Sequence, residues 1–192
     1  MEGPWSFEQT DSHARNIGAW IVANEKDEKY LIQISWPLEW PLGEQAEVTD
    51  SVNAIQLLDG NAMFHSATDI VRRRMVHGAQ KNTVIIGISY PLTDSVFSPR
   101  RGYDLTPPCK EYNPPKGPNR EPYLQLHGGV DAFFQFITNK VRHLVFCSTF
   151  PRVSVSETAL FGHSYGALFA LHALYAAPSS FDAFLAASPS IW

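Results

Sequence analysis

The sequence of 192 residues lacks most of the features that mark metal, nucleic-acid and membrane proteins. Its only cysteines, Cys109 and Cys147, show no metal-ligand spacing and are too few for a disulfide framework. We therefore expect two free thiols that have no metal-binding or disulfide role, in a reducing, cytoplasmic compartment. No apolar run approaches the roughly 20 residues that a membrane-spanning helix needs.

Charge excludes further classes of partner. The net charge is −4, and basic residues cluster only at 72–74 and 100–101, which is too short for a stripe that follows phosphates. We expect neither a nucleic acid nor a membrane as partner. No H-E-x-x-H or other ligand spacing is present, so we also expect no metal and no cofactor. The polar N-terminus, with mixed charge, does not resemble a secretory signal.

What is present indicates one globular core. The composition is 44% hydrophobic, 12% aromatic and 18% charged, which suits a folded domain and not a disordered chain. The length is that of one domain, so residues 1–192 are assigned to a single domain.

The pattern of apolar residues alternates between strands and helices. Strands are predicted at 19–23, 29–37, 51–60, 83–91, 158–162 and 181–190, and helices at 61–78 and 130–145 and from Ser164 onward. Asn61 is the expected N-cap of the first helix and Gly78 its stop. The run 83–91 is β-branched and almost continuously apolar, which is typical of a strand covered on both faces. The sequence therefore predicts an α/β fold with a mostly parallel sheet.

Between residues 92 and 127 the regular pattern stops. Seven of the 14 prolines lie in this segment, among charged and aromatic residues. Irregular loops of this length in a compact domain are usually functional or mobile.

The segment 160–168 has the pattern of a nucleophile elbow. It contains Gly162-His163-Ser164-Tyr165-Gly166, which matches G-x-S-x-G, after an apolar strand and before a helix. The serine would occupy a strained strand-to-helix turn, where glycines two residues away on either side let the backbones pass closely. The Tyr165 backbone N–H would then be the first oxyanion donor.

Five pieces in order resemble one known family. They are "LLDGNAMF" (57–64), "IIGISYP" (85–91), "RGYDLTP" (101–107), "GGVDAFFQFI" (128–137) and the segment 160–192 that ends in "SPSIW". From about residue 19 to 192 the chain resembles the esterase branch of the α/β-hydrolases that contains ferric-siderophore esterases and relatives of S-formylglutathione hydrolase. The 101–107 and "SPSIW" pieces favour the siderophore side.

The resemblance implies roles for particular residues. Ser164 would be the nucleophile, and the turn around Gly60 and Asn61 would supply the second oxyanion N–H. Arg101 would face the pocket and bind oxygen-rich acyl groups, although a loop salt bridge with Asp104 is an equally open reading of this arginine. Ala167 stands where the family often has a second glycine.

No histidine in the expected order follows the nucleophile. The α/β-hydrolase triad runs Ser, acid, His, yet only Asp182 and His172 follow Ser164 in the 28 residues that remain. His172 lies about 12 Å along the elbow helix and is expected to be structural. His163 would leave the turn in another direction, and His127 precedes the nucleophile in the chain.

These observations predict a hydrolase sheet that is incomplete at its C-terminal side. The expected function is hydrolysis of iron-siderophore or related esters, small-molecule substrates, with little or no activity in these 192 residues alone. The alternatives are a short-acyl or thioester hydrolase related to S-formylglutathione hydrolase, and a non-catalytic binding fragment.

Overall fold

The computed structural model describes residues 15–23, 27–41, 45–110, 116, 119–122 and 126–191. Within these residues six strands form one sheet: β1 (Ile17–Ala23), β2 (Lys29–Ser35), β3 (Ser51–Leu58), β4 (Thr83–Ser89), β5 (Ser154–His163) and β6 (Ala183–Ala187). Their spatial order is β1-β2-β4-β3-β5-β6. The β1–β2 and β2–β4 pairs are antiparallel, and the other three pairs are parallel. This confirms the predicted α/β fold.

In the part of the chain that the structure describes, four α-helices connect or flank the strands: α1 (Gly60–Val76), α2 (Arg101–Asp104), α3 (Val130–Gln135) and α4 (Tyr165–Ala176). Two π-helical segments, Phe136–Val141 and Leu144–Thr149, follow α3, and short 3₁₀ turns lie at Gln45–Glu47 and Pro178–Ser180. The helical region after residue 130 therefore extends four residues beyond the predicted end at 145. No described helix is long and apolar enough to cross a membrane.

The start of α1 differs from the prediction. Asn61 is not the N-cap, because the helix already begins at Gly60 and Asp59 precedes it in the left-handed region (φ 53°, ψ 45°). The Asn61 amide bonds instead to the end of β4: Nδ2 donates to Tyr90 O, and Tyr90 N donates to Asn61 Oδ1, both at 2.8 Å. Gly78, at φ 65°, follows the helix as the sequence predicts.

The proline-rich segment contains one element that the sequence did not predict. The four-residue helix α2 lies inside 92–127, and it is held by backbone hydrogen bonds such as Asp104 N to Arg100 O at 3.1 Å. Residues 111–115, 117–118 and 123–125 of that segment lie outside the described residues, as do the N-terminal residues 1–14 and Trp192.

The sheet separates two hydrophobic clusters. One face packs against α3, α4 and the π-helical segments, and includes the fully buried Leu160 and Phe169. The other face packs against α1 through a smaller cluster of Leu57, Phe64, Val71 and Ile85. Successive residues of β3 and β4 alternate between the two clusters, as the pleat requires.

Candidate active site

The elbow has the predicted strand–turn–helix form. β5 ends at His163, α4 begins at Tyr165, and Ser164 between them has φ 57° and ψ −113°. Positive φ is uncommon for a residue with a side chain and costs of order 1–3 kcal/mol, so it persists only where the surrounding structure enforces it. Ser164 is therefore the strained tip of the turn, and its side chain is only partly buried.

Close packing explains the glycines on either side. A Cβ at Gly162 would lie 2.1 Å from the carbonyl carbon and oxygen of Gly166, so no side chain fits there. A Cβ at Gly166 would meet Leu58 Cβ at 3.2 Å, which is a milder conflict. Ala167, where the family often has glycine, is fully buried in the first turn of α4.

The end of β6 and the segment after it form hydrogen bonds to the elbow. Ser164 N donates to Ala187 O at 3.1 Å, and Ser190 N donates to Ser164 O at 3.2 Å. The hydroxyls of Ser164 and Ser190 lie 2.8 Å apart and share a hydrogen bond. Ser190 was not selected from the sequence, although it belongs to the "SPSIW" piece.

The predicted oxyanion residues come to the same edge of the sheet. β3 and β5 are parallel neighbours, with Leu57 opposite Phe161, so α1 and α4 both begin at their carboxyl ends. The first N–H groups of a helix have no intrahelical acceptor. Gly60 and Asn61 supply such groups in α1, and Tyr165 supplies one in α4.

Packing alone requires glycine at position 60, whatever the backbone N–H of this residue does in the chemistry. A Cβ on this residue would lie 2.2 Å from Ser89 Oγ and 2.9 Å from the backbone of Gly87. The turn after β3 is thus pressed against the end of β4, and the Asn61 bonds to Tyr90 keep it there.

Arg101 lies beside the elbow. Its Nε and Nη2 donate to the two carboxylate oxygens of Asp59 at 2.7 and 2.6 Å. Its guanidinium carbon is 4.9 Å from the centre of the Tyr165 ring and 5.0 Å from that of Phe97. The alternative of a salt bridge with Asp104 is wrong, because Asp59 occupies the fork of Arg101 and Asp104 pairs with Arg100.

Asp104 belongs to a separate buried cluster. It forms an ion pair with Arg100 Nε at 3.1 Å and accepts a hydrogen bond from the Tyr90 hydroxyl at 3.1 Å. Arg100 also pairs with Glu28 at 2.8 Å, bonds to the Tyr30 hydroxyl, and lies 4.6 Å above the Tyr30 ring. Burial raises the pKa of Asp104 to about 6, against the lowering effect of Arg100. Burial also raises the pKa of both tyrosines.

The histidines in the described part of the chain do not bond to the Ser164 hydroxyl. His172 Nε2 is 2.9 Å from Asp131 Oδ1 and links α4 to α3, which is the structural position that the sequence predicts. His127 Nε2 is 3.3 Å from Cys109 O, and His163 is exposed at the end of β5. Within the described ranges no histidine nitrogen bonds to the Ser164 hydroxyl, and no group of three or more His, Cys, Asp and Glu side chains could hold a metal ion.

Three residues that contact this site were not predicted from the sequence. Asp59 and Phe97 contact Arg101, and Ser190 contacts Ser164. Asp59 stands in the "LLDG" piece, where a charged residue at the end of a buried strand was a usable signal. Phe97 carried no local signal in the proline-rich segment.

Known proteins similar to this chain are siderophore esterases. The chain is 55% identical over 190 residues to a siderophore enterobactin esterase of Emericella nidulans, a match that covers 98% of this chain and 62% of that protein. It is 42% identical over 182 residues to a siderophore triacetylfusarinine C esterase of Aspergillus fumigatus, covering 92% and 56%. The chain thus spans about 60% of the length of these curated relatives.

A solved structure and a family model agree with these matches. The structure of the siderophore hydrolase EstA from Aspergillus nidulans superposes with a TM-score of 0.91 at 54% identity, covering 100% of this chain and 63% of that one. A family model described as "Putative esterase" matches residues 24–192. The elbow of β5 and α4 lies within this range, and the chain belongs to this esterase family.

Proposed function

We propose that this chain carries the nucleophile and oxyanion side of a serine ester hydrolase of the siderophore-esterase type. The observation that carries the proposal is the conformation of Ser164, held at φ 57° between β5 and α4 by a glycine that no other residue can replace. A strained serine at the carboxyl end of a central strand is the arrangement that exposes a nucleophile in this fold.

In the proposed chemistry Ser164 Oγ attacks the ester carbonyl carbon. The carbonyl oxygen becomes an oxyanion, which the N–H groups of Tyr165 and of Gly60 or Asn61 stabilise. The hydroxyl proton passes to a base, the leaving alkoxide receives a proton, and water then hydrolyses the acyl-enzyme. The N-terminus of α4 favours the negative charge that develops at this position.

The proposed substrate is a ferric siderophore ester or a related ester. Support comes from the relatives, whose names give enterobactin and triacetylfusarinine C as their substrates. Arg101 is the proposed contact for oxygen atoms of the substrate. Asp59 accepts from Nε and Nη2 of the Arg101 guanidinium, and no hydrogen bond from Nη1 is found among the described residues. Nη1 is therefore the group proposed to donate to a carbonyl or catecholate oxygen.

The test measures ester hydrolysis by the protein and by its Ser164→Ala variant. Each is made in two lengths, residues 1–192 alone and the longest transcript that contains them. The longest transcript that contains these 192 residues is expressed and assayed on tri-catecholate siderophore esters, hydroxamate siderophore esters and a simple aryl ester. Siderophore cleavage that depends on Ser164 supports the proposal. Cleavage of the aryl ester alone contradicts the substrate class, and no turnover dependent on Ser164 in any form contradicts the hydrolase.

A non-catalytic role of the 192 residues alone is the second candidate. One observation favours it: the Ser164 hydroxyl bonds to Ser190, and no described histidine reaches it. Serine is a poor nucleophile without a base, and loss of a triad member leaves only roughly 10³–10⁴-fold acceleration over water. We expect residues 1–192 to hydrolyse an aryl ester no faster than Ser164→Ala. Stoichiometric labelling of Ser164 by a fluorophosphonate would contradict this.

We also propose that the protein acts in the cytoplasm. Cys109 and Cys147 are both free and exposed, which fits a reducing compartment. Localisation of a fluorescent fusion of the longest transcript tests this proposal, and a secreted or vesicular product would contradict it.

A further inference from the structure

One buried ion pair joins the turn after β3 to the segment that carries α2. Arg101 donates twice to Asp59, at 2.7 and 2.6 Å, and the side chains of the two residues are 11% and 2% exposed. A bidentate pair of this kind is stronger and more directional than a neutral hydrogen bond. Removal of one partner would leave an uncompensated charge in the interior. The pair therefore fixes the relative position of the two side chains.

The same arginine contacts the elbow. Its guanidinium lies 4.9 Å from the ring of Tyr165, the residue directly after the nucleophile, and Phe97 covers the guanidinium at 5.0 Å. Cation–π contacts of this geometry are attractive and become stronger out of water. A continuous set of contacts therefore runs from Asp59 through Arg101 to Tyr165.

Asp59 is also the residue that shapes the first turn of α1. Its backbone is left-handed, and its carbonyl accepts hydrogen bonds from Ala62 N at 2.9 Å and Met63 N at 3.2 Å. Its carboxylate lies beside the first turn of α4, since a Cβ at Gly166 would be 3.5 Å from Asp59 Oδ2. The positive end of that helix favours a carboxylate at this point.

We propose that Asp59 is a positioning residue, which acts through Arg101 to hold the turn after β3 in register with the elbow. The turn carries Gly60 and Asn61, and the elbow carries Tyr165, so the ion pair sets the spacing of the two halves of the oxyanion hole. Asp59 itself touches no reacting atom. The catalytic consequence rests on the proposed function, whereas the coupling between the two turns does not.

The coupling is tested in the 192-residue chain by NMR, without any assay of activity. Asp59→Asn removes the charge but keeps a residue that accepts the left-handed conformation. The backbone amide resonance of Tyr165, 106 residues away in sequence, is expected to shift in Asp59→Asn and in Arg101→Gln. Asp69→Asn is the control, because it removes a carboxylate from an exposed pair with Arg73 on α1. A Tyr165 resonance that stays at the control position overturns the proposal.

A second variant covers the case in which Asp59→Asn does not fold. Arg101→Lys keeps the positive charge but lacks the planar fork, so it cannot make both bonds to Asp59 at once. Its Tyr165 resonance is expected to shift in the same direction as in Arg101→Gln. A lysine variant indistinguishable from the wild type at Tyr165 would contradict the need for the bidentate geometry.

The kinetic test uses whichever length of the protein shows ester hydrolysis that depends on Ser164. Asp59→Asn is expected to lower kcat about tenfold and to change KM by less than about twofold, because misaligned oxyanion donors weaken transition-state binding. In the Arg101→Gln background the same change is expected to add little, since the partner is already lost. A lower melting temperature with unchanged kcat would show a merely structural role and overturn the proposal. Failure of the proposed function would give a different pattern. Neither length of the protein would hydrolyse the ester, while the Tyr165 resonance would still shift in the Asp59 and Arg101 variants.

Discussion

Leu160 and Leu185 lie on neighbouring strands, yet Leu160 is fully buried and Leu185 is 49% exposed. Leu160 points to the face that α3 and α4 cover, together with Phe133 and Phe169. Leu185 points to the opposite face, where it lines an apolar groove of about 300 Å³ beside α1 with residues such as Ile70 and Phe161. Two leucines of one sheet thus have different environments, one in the buried core and the other half exposed to solvent.

The difference shows which part of the molecule supports the site. The elbow is formed by β5, α4 and the segment after β6, and the apolar side of α4 packs on the covered face. The open groove lies on the other face of the sheet from α4, where residues of β3, β4 and α1 line it together with Phe161 and Leu185. We therefore expect substitutions on the covered face to disturb both stability and the elbow, and substitution of the half-exposed groove residue Leu185 to disturb neither strongly.

The largest effect is expected for Phe169→Ala on the covered face. The ring is fully buried, and it packs edge-on against Phe133 with centroids 5.6 Å apart. Deletion of a buried phenylalanine costs about 3–5 kcal/mol, because transfer energy is lost and a cavity remains. Urea unfolding measures the change in the free energy of unfolding. A loss below about 1 kcal/mol would mean that the covered face is not the main core.

A second effect of the covered face depends on pH. Burial raises the pKa of Asp104 from 3.8 to about 6, so the folded state binds its proton more tightly than the unfolded state does. This contribution to stability is fully present below about pH 4 and is lost as the pH rises through 6. Relative to Asp104→Asn, the wild type is expected to lose roughly 2–3 kcal/mol of unfolding free energy between pH 4 and pH 7.

Urea unfolding of both proteins at several pH values within this window measures that difference. The asparagine variant keeps the side-chain shape and cannot titrate, so groups common to both proteins cancel. Parallel pH profiles for the two proteins would show that the Asp104 carboxyl is solvated in the folded state.

Local patterns in the sequence predicted part of this architecture, and contacts between distant residues account for the remainder. The run 83–91 and the glycines at 162 and 166 predicted β4 and the elbow, because periodicity and close packing act within a few residues. The Asp59–Arg101 pair joins positions 42 residues apart, and no local signal in the sequence favours it over the alternative pair of Arg101 with Asp104. The antiparallel order of β1 and β2 is likewise a property of the assembled sheet.

The smallest effect is expected for Leu185→Ala in the groove. About half of this side chain already contacts water, so truncation forfeits little burial, and the free energy of unfolding is expected to fall by about 1 kcal/mol or less. Leu160→Ala is the matched control, since the same atoms are removed from a fully buried position on the adjacent strand at a cost of about 2–5 kcal/mol. Urea unfolding of the two variants measures both values. Equal losses would show that the groove is filled in solution, for example by self-association, and in that case the loss at Leu185 would grow with protein concentration.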